Sequence, residues 1–172
     1  MISRVAAVAV ALVLVVGMTT GCQPEPAPSP SGPIFANEDE AFAAAEQTYR
    51  AYVDALNQRR SDASSTPDPQ SFLTGQALEV DIDTQQHLDQ AGLALTGITE
   101  IASVSPVESR PDIGFVKVDV CLDSSGTRVV NDAGADVTPP DRQPISLITV
   151  DFLSVRSGLL IMASKTKVTG GC

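Results

Sequence analysis

Tryptophan is absent from the 172-residue chain, and five phenylalanines with two tyrosines make an aromatic share of 4%. So thin an aromatic content excludes the stacking platforms that hold glycans or nucleic-acid bases. Lysine is scarce as well: three lysines and eight arginines face 21 acidic residues, and the formal charge is −10. A chain of that sign is repelled by phosphodiester backbones, which removes nucleic acid as a partner. The single histidine, His87, stands between Gln86 and Leu88 and is expected on the surface, outside catalysis and metal binding. No glycine-rich phosphate loop, Gly-x-Ser-x-Gly elbow, Cys-x-x-Cys pair or internal repeat occurs. With one histidine, a Ser/His/Asp set has little to draw on. No catalytic, cofactor-binding or metal-ligating residue is assigned, and the chain is expected not to be an enzyme.

Long hydrophobic runs are also missing, with one exception. Arg4 precedes an unbroken apolar run over residues 5–16, followed by the small and polar residues 17–21. Those twelve residues would rise about 18 Å as a helix, short of a hydrocarbon core of roughly 30 Å, and so read as a secretory leader rather than a membrane span. Thr19-Thr20-Gly21-Cys22 closes the run. A cysteine directly after glycine at that place is the lipobox arrangement of bacterial lipoproteins, although Thr19 stands where leucine is usual. Cys22 is then the lipidation site and the mature N-terminus, and two acyl chains at about 0.8 kcal/mol per buried methylene anchor it lastingly. Prolines 24, 26, 28, 30 and 33 follow, and their fixed φ keeps the segment extended. The expected organisation is a lipoprotein signal peptide over 1–21, lipidated Cys22 with a proline-rich tether over 22–37, and one domain over 38–172. The expected location is the cell membrane, lipid-anchored, on the extracytoplasmic side.

Within the domain, Asn37 followed by Glu40 is a capping-box signature, and acids at 38, 39 and 40 suit a helix N-terminus. Phe42, Ala45, Tyr49, Val53 and Leu56 then trace one apolar stripe, predicting a helix over 38–60. Asp68-Pro69 opens a short helix through Leu73; Gly75 interrupts, and a second helix runs from Gln76 or Asp81 to Gln90, stopped by Gly92. From there the period becomes two. Strands are predicted over 93–104, ended by Ser105-Pro106, then 113–122, 145–155 and 159–168, the last two joined as a hairpin. Asp123, Asp132 and Asp136 fall in turns, and their spacing misses the calcium-loop pattern. Helices first and strands after, with short connections, predict an α+β domain whose N-terminal helices pack on a curved antiparallel sheet of about four strands.

With Cys22 lipidated, Cys121 and Cys172 remain as an even pair in an oxidising compartment, and a structural disulfide is expected. The rival, two reactive thiols, lacks a neighbouring histidine to lower a thiol pKa.

The capped helix Ala41-Phe42-Ala43-Ala44-Ala45-Glu46-Gln47-Thr48-Tyr49-Arg50-Ala51-Tyr52, the strand Val118-Asp119-Val120-Cys121-Leu122-Asp123 and the terminal Gly171-Cys172 together resemble the small actinobacterial lipoproteins whose exported domain is nuclear-transport-factor-2-like, or cystatin-like. That resemblance implies a cone: a curved sheet wrapped on the long helix, with a cavity at the open end. Enzymes of the superfamily place an Asp or His base and a Tyr or acid donor in the cone, so Tyr49, Asp119 and Asp151 are the candidate cavity residues, with strand alternation favouring exposure for Asp119. Three functions are weighed. The first is a non-enzymatic binding module of the cell envelope with a protein partner. The second is a carrier of a small apolar molecule or lipid in the cavity. The third is an isomerase- or dehydratase-like enzyme, which needs a buried acid.

Overall fold

Asn37 starts the folded chain's longest helix. In a computed structural model, which describes residues 34–167 and Cys172, its side chain accepts the Glu40 N–H at 2.9 Å and helix α1 runs over Glu38–Ser61. Glu40 reaches back, but to the N–H of Ala36 at 2.6 Å, one residue earlier than the usual capping box. Ala41, Ala45, Tyr49 and Val53 are buried in strict steps of four, while Phe42 flanks the stripe half-buried. The face is thus turned towards Ala41, because two alanines there let the sheet approach closely. The leader, Cys22 and the tether up to residue 33 lie outside the described residues. Residues 34–37, assigned to the tether on proline spacing, belong to the domain instead. Ile34 and Phe35 both donate backbone N–H groups to the Pro111 carbonyl, and the Phe35 side chain packs on the core.

A single 3₁₀ turn, Pro69–Phe72, capped by Asp68, leads to helix α2 over Gly75–Ala91. Gly75, expected as an interruption, is the first residue of α2, with φ +52. The helix is fixed at its start by the Thr74 N–H, which donates to the Ile161 carbonyl at 2.9 Å, and it stops at Gly92 in the left-handed region, φ 62. None of its 17 residues is buried.

Six strands follow: β1 Leu93–Thr96, β2 Glu100–Arg110, β3 Phe115–Asp123, β4 Arg128–Asn131, β5 Ile145–Val155 and β6 Gly158–Thr166. They form two antiparallel sheets, β2-β3-β5-β6 and β1-β4, against which the helices pack, so the fold is α+β as the sequence predicts. Three details differ from expectation. The strand expected over 93–104 is cut at Gly97, whose φ is +78 and which lies against the Gly126 carbonyl too closely for any side chain. Pro106 does not end β2, because β2 is an edge strand, where a missing N–H costs no ladder bond. β4 was not expected at all; its four residues are too short a run to show alternation.

The core lies between α1 and the four-stranded sheet. Val116, Val118 and Val120 of β3, Ile148, Val150 and Phe152 of β5, and Ile161 of β6 meet Ala41, Ala45, Tyr49 and Val53. Tyr49 stands edge-on to Phe152 with ring centroids 6.4 Å apart. No helix among the described residues is long and apolar enough to cross a membrane.

Candidate functional site

Because α2 buries none of its residues, it leaves space along both of its sides. On the first side a cleft of about 310 Å³ opens between α1, the 3₁₀ turn, α2 and β6. Its apolar wall is Tyr49, Tyr52, Leu73, Ala77, Val80 and Ile161. Tyr49 and Tyr52 lie side by side, centroids 5.8 Å apart, and burial lifts both phenols, Tyr52 to about 12 with the Asp81 carboxylate adding to the effect, and Tyr49 further still. Both are therefore neutral hydroxyls at any physiological pH, able to donate hydrogen bonds within an apolar wall.

The polar corner of this cleft is Asp81. Arg59 grips it through both terminal nitrogens, at 3.1 and 2.8 Å, and Gln70 Nε2 adds a third bond at 3.1 Å. The bidentate bond also raises the Arg59 pKa. Here α1, the 3₁₀ turn and α2 are tied together at one carboxylate. Val80 beside it is 55% exposed, an apolar side chain at the cleft that the fold itself leaves uncovered.

On the other side of α2 a second cleft, about 490 Å³, runs between the end of α1, α2 and β1. Leu56, Leu88, Leu93 and Leu95 line it, together with Arg59 and Arg60. Asp81 and Thr84 line both clefts, which adjoin there.

Of the expected cavity residues, only Tyr49 is in a cleft. Asp119 and Asp151 sit on the opposite face of the sheet, as strand alternation with buried Val118, Val120, Val150 and Phe152 requires. Asp119 accepts a hydrogen bond from Thr149 Oγ1 at 2.7 Å and is ion-paired with Lys167, which holds its carboxyl below the usual carboxylate range. Asp151 lies 3.6 Å from Lys117 Nζ. Neither is brought together with Tyr49. Since the folded pKa of Asp119 is depressed, its contribution to stability is present above the unfolded value of about 3.9 and is lost as pH falls through the folded value. Lys167→Met is expected to return the Asp119 titration towards the ordinary range, read by carboxyl-carbon NMR; an unchanged midpoint would show that Lys167 is not the cause.

Cys121 is buried on β3, and Cys172 lies at disulfide-bonding distance from it, with Cα atoms 5.6 Å apart. His87 is exposed on α2, its Nδ1 2.8 Å from the Asp83 carbonyl. Asp123 and Asp136 each accept a backbone N–H two residues on, from Ser125 and Thr138, which is turn chemistry. Among the described residues no three His, Cys, Asp or Glu side chains gather as a metal site would need.

What sequence reasoning missed is Asp81 and Ile161 in the first cleft, and Arg59 and Gln70, which hold Asp81 in place. Arg59 and Asp81 are 22 residues apart, and no local pattern couples them. The available signal was Val80 beside Asp81 in a segment whose apolar stripe was loose, in keeping with a helix that sets only the half-buried Ala77 and Leu78 against the core.

No protein-family model matches the chain, and no curated protein matches it. Among solved structures, it is similar to the intermembrane space region of chloroplast protein ARC6, with a TM-score of 0.44 and 14% identity, over 72% of this chain and 96% of that one.

Proposed function

We propose that this protein is a membrane-anchored extracytoplasmic lipoprotein whose folded domain is a non-enzymatic binding module, taking a small, mainly apolar molecule in the tyrosine-walled cleft. The observation that carries the binding is the cleft itself. Its volume of about 310 Å³ falls at the lower end of small-molecule sites, and its wall is apolar with a few convergent polar groups. The covering helix buries none of its own residues, so filling the cleft would remove from water apolar surface that the fold leaves wet, at roughly 25 cal/mol per Å². An isomerase-like chemistry draws no support from this geometry. Asp119 is ionised and on the far face, and the one carboxylate in the cleft, Asp81, is held by Arg59 and Gln70. The anchor rests on Cys22 and the apolar leader before it, and we propose a kinship with small nuclear-transport-factor-2-like lipoproteins on the helix 41–52, the strand 118–123 and the terminal Gly171-Cys172.

The binding is tested with the exported chain carrying Cys22→Ser, which keeps the cleft and removes the anchor. Titrated with the neutral fluorophore N-phenyl-1-naphthylamine, it is expected to bind one probe per chain. Ala77→Trp, which fills the cleft, is expected to weaken binding at least about tenfold. Absence of saturable binding, or indifference to Ala77→Trp, would remove the cleft from the function. Retention of the Cys22→Ser protein in the membrane fraction would remove the anchor.

A further inference from the structure

Arg60 is an anomaly in an acidic domain. It is half-buried at the end of α1, and among the described residues it makes no salt bridge. Its Nη1 donates to two neutral acceptors, Asn57 Oδ1 at 3.2 Å and Thr99 Oγ1 at 2.9 Å. Its Nε and Nη2 have no hydrogen-bond partner among the described residues, and the side chain lines the second cleft. Arg59 next to it is neutralised by Asp81. A second arginine near Arg60, Arg142, is likewise held by neutral oxygens only: Thr127 Oγ1 at 2.7 Å and the Ser124 and Thr127 carbonyls at 3.0 Å each. Burial, with the nearby charges of Arg59 and Arg142, lowers the Arg60 pKa. Two of its nitrogens are therefore available, in a partly dry place, without a counter-charge. Of the acids lining that cleft, Asp81 is already matched to Arg59, and Asp89 is exposed.

The rest of the second cleft is walled by leucines, and it meets the tyrosine-walled cleft at Asp81 and Thr84. We infer that the ligand is an amphiphile with an anionic head, whose head group pairs with Arg60 in the second cleft while its apolar chain lies along α2 into the first. This rests on the binding reading above and adds the chemistry of the head. A carboxylate and a phosphate monoester share that chemistry: either offers oxygens for the free Nε–H and Nη2–H groups in the bidentate geometry that guanidinium favours. An anion there supplies the charge that the protein withholds from Arg60.

The test uses the exported Cys22→Ser chain and three probes with one apolar chain, decanoate, decyl phosphate and 1-decanol, each competing against N-phenyl-1-naphthylamine. At least one anionic probe is expected to bind about tenfold or more tighter than the alcohol, the scale of a hydrogen-bonded charge pair. Which of the two binds tighter identifies the head. Arg60→Gln is expected to bring anion and alcohol within about twofold of each other, while Arg50→Gln, on the exposed flank of α1, keeps the preference. Should Arg60→Gln fail to fold, the wild-type chain still decides, because a preference due to an ion pair weakens at high salt. Equal binding of anions and alcohol, or a preference that survives Arg60→Gln, overturns the inference and leaves the binding reading standing. No displacement by any of the three probes, when the fluorophore itself binds, also overturns it. Failure of the fluorophore to bind overturns both.

Discussion

Replacing Cys121 and Cys172 together by serine is expected to lower the stability of the domain by about 4 kcal/mol. The two residues are 51 apart in sequence, and a cross-link of that span removes much of the freedom of the unfolded chain. Cys121 is also buried at 3% exposure on β3, the strand paired on both sides in the four-stranded sheet. Releasing Cys172 frees the C-terminal end from the middle of that sheet. For a domain of this size the loss corresponds to a fall in Tm on the order of 15 °C. Urea unfolding of the wild-type and double-serine chains measures it, with dithiothreitol on the wild type as the parallel arm. A loss below about 1 kcal/mol in both arms would mean that the pair does not hold the fold. Agreement of the two arms would show that the bond, rather than the change to serine, is responsible.

Phe152→Ala is expected to cost about 4 kcal/mol, within the range for emptying a phenylalanine site. Phe152 has no exposed surface; it lies on β5 opposite Val116 of β3 and Ile161 of β6, and edge-on to Tyr49. The core gives it no way to collapse cheaply, because its neighbours belong to paired strands whose spacing is fixed by the ladder. The same substitution removes the support behind Tyr49, so the first cleft is expected to lose probe affinity as well as the domain losing stability. Chemical denaturation with an unchanged m-value, followed by the probe titration well below the unfolding midpoint, separates the two effects. A cost below about 2 kcal/mol would mean that the site collapses. Unaltered probe affinity would mean that Tyr49 does not depend on Phe152 for its place.

Most of the fold was legible because its signals are local. Asn37, the acids after it and the three- and four-residue steps from Phe42 to Leu56 specify α1 without reference to anything distant, although the buried face turns out to be centred on Ala41. The alternation from Val116 to Val120 and the short link between the strands predicted over 145–155 and 159–168 specify β3 and the β5–β6 hairpin in the same way. What was missed depends on distant partners. Pro106 can lie inside a strand only because β2 has no neighbour on its outer side, which the strand order decides and no local pattern records. Gly97 breaks a strand because Gly126, distant in sequence, approaches it too closely for a side chain. Ile34 and Phe35 are part of the domain because Pro111 offers them a carbonyl, whereas proline counting ran the tether past them. The candidate site was the least legible part. Tyr49 was found from its place on the stripe, but the acid beside the tyrosines is Asp81 and not Asp119 or Asp151. Alternation alone favoured the outer face for Asp119, and it was the expectation of a cone that drew attention to the strand acids.

The unburied helix α2 also gives the domain two stabilities. Its attachments are the Thr74 bond to β6, the half-buried Ala77 and Leu78 against the core, the Asp81 clasp near its middle and its continuation at Gly92 into β1. None of these contains the burial that holds β3 and β5 in place. Local opening of such an element costs only a part of the global unfolding free energy. The amides of α2 would thus exchange with solvent through openings that leave the four-stranded sheet intact. A molecule could enter beneath the helix during those openings without waiting for the core to loosen, and once seated it would slow the exchange of α2 and leave that of β3 unchanged.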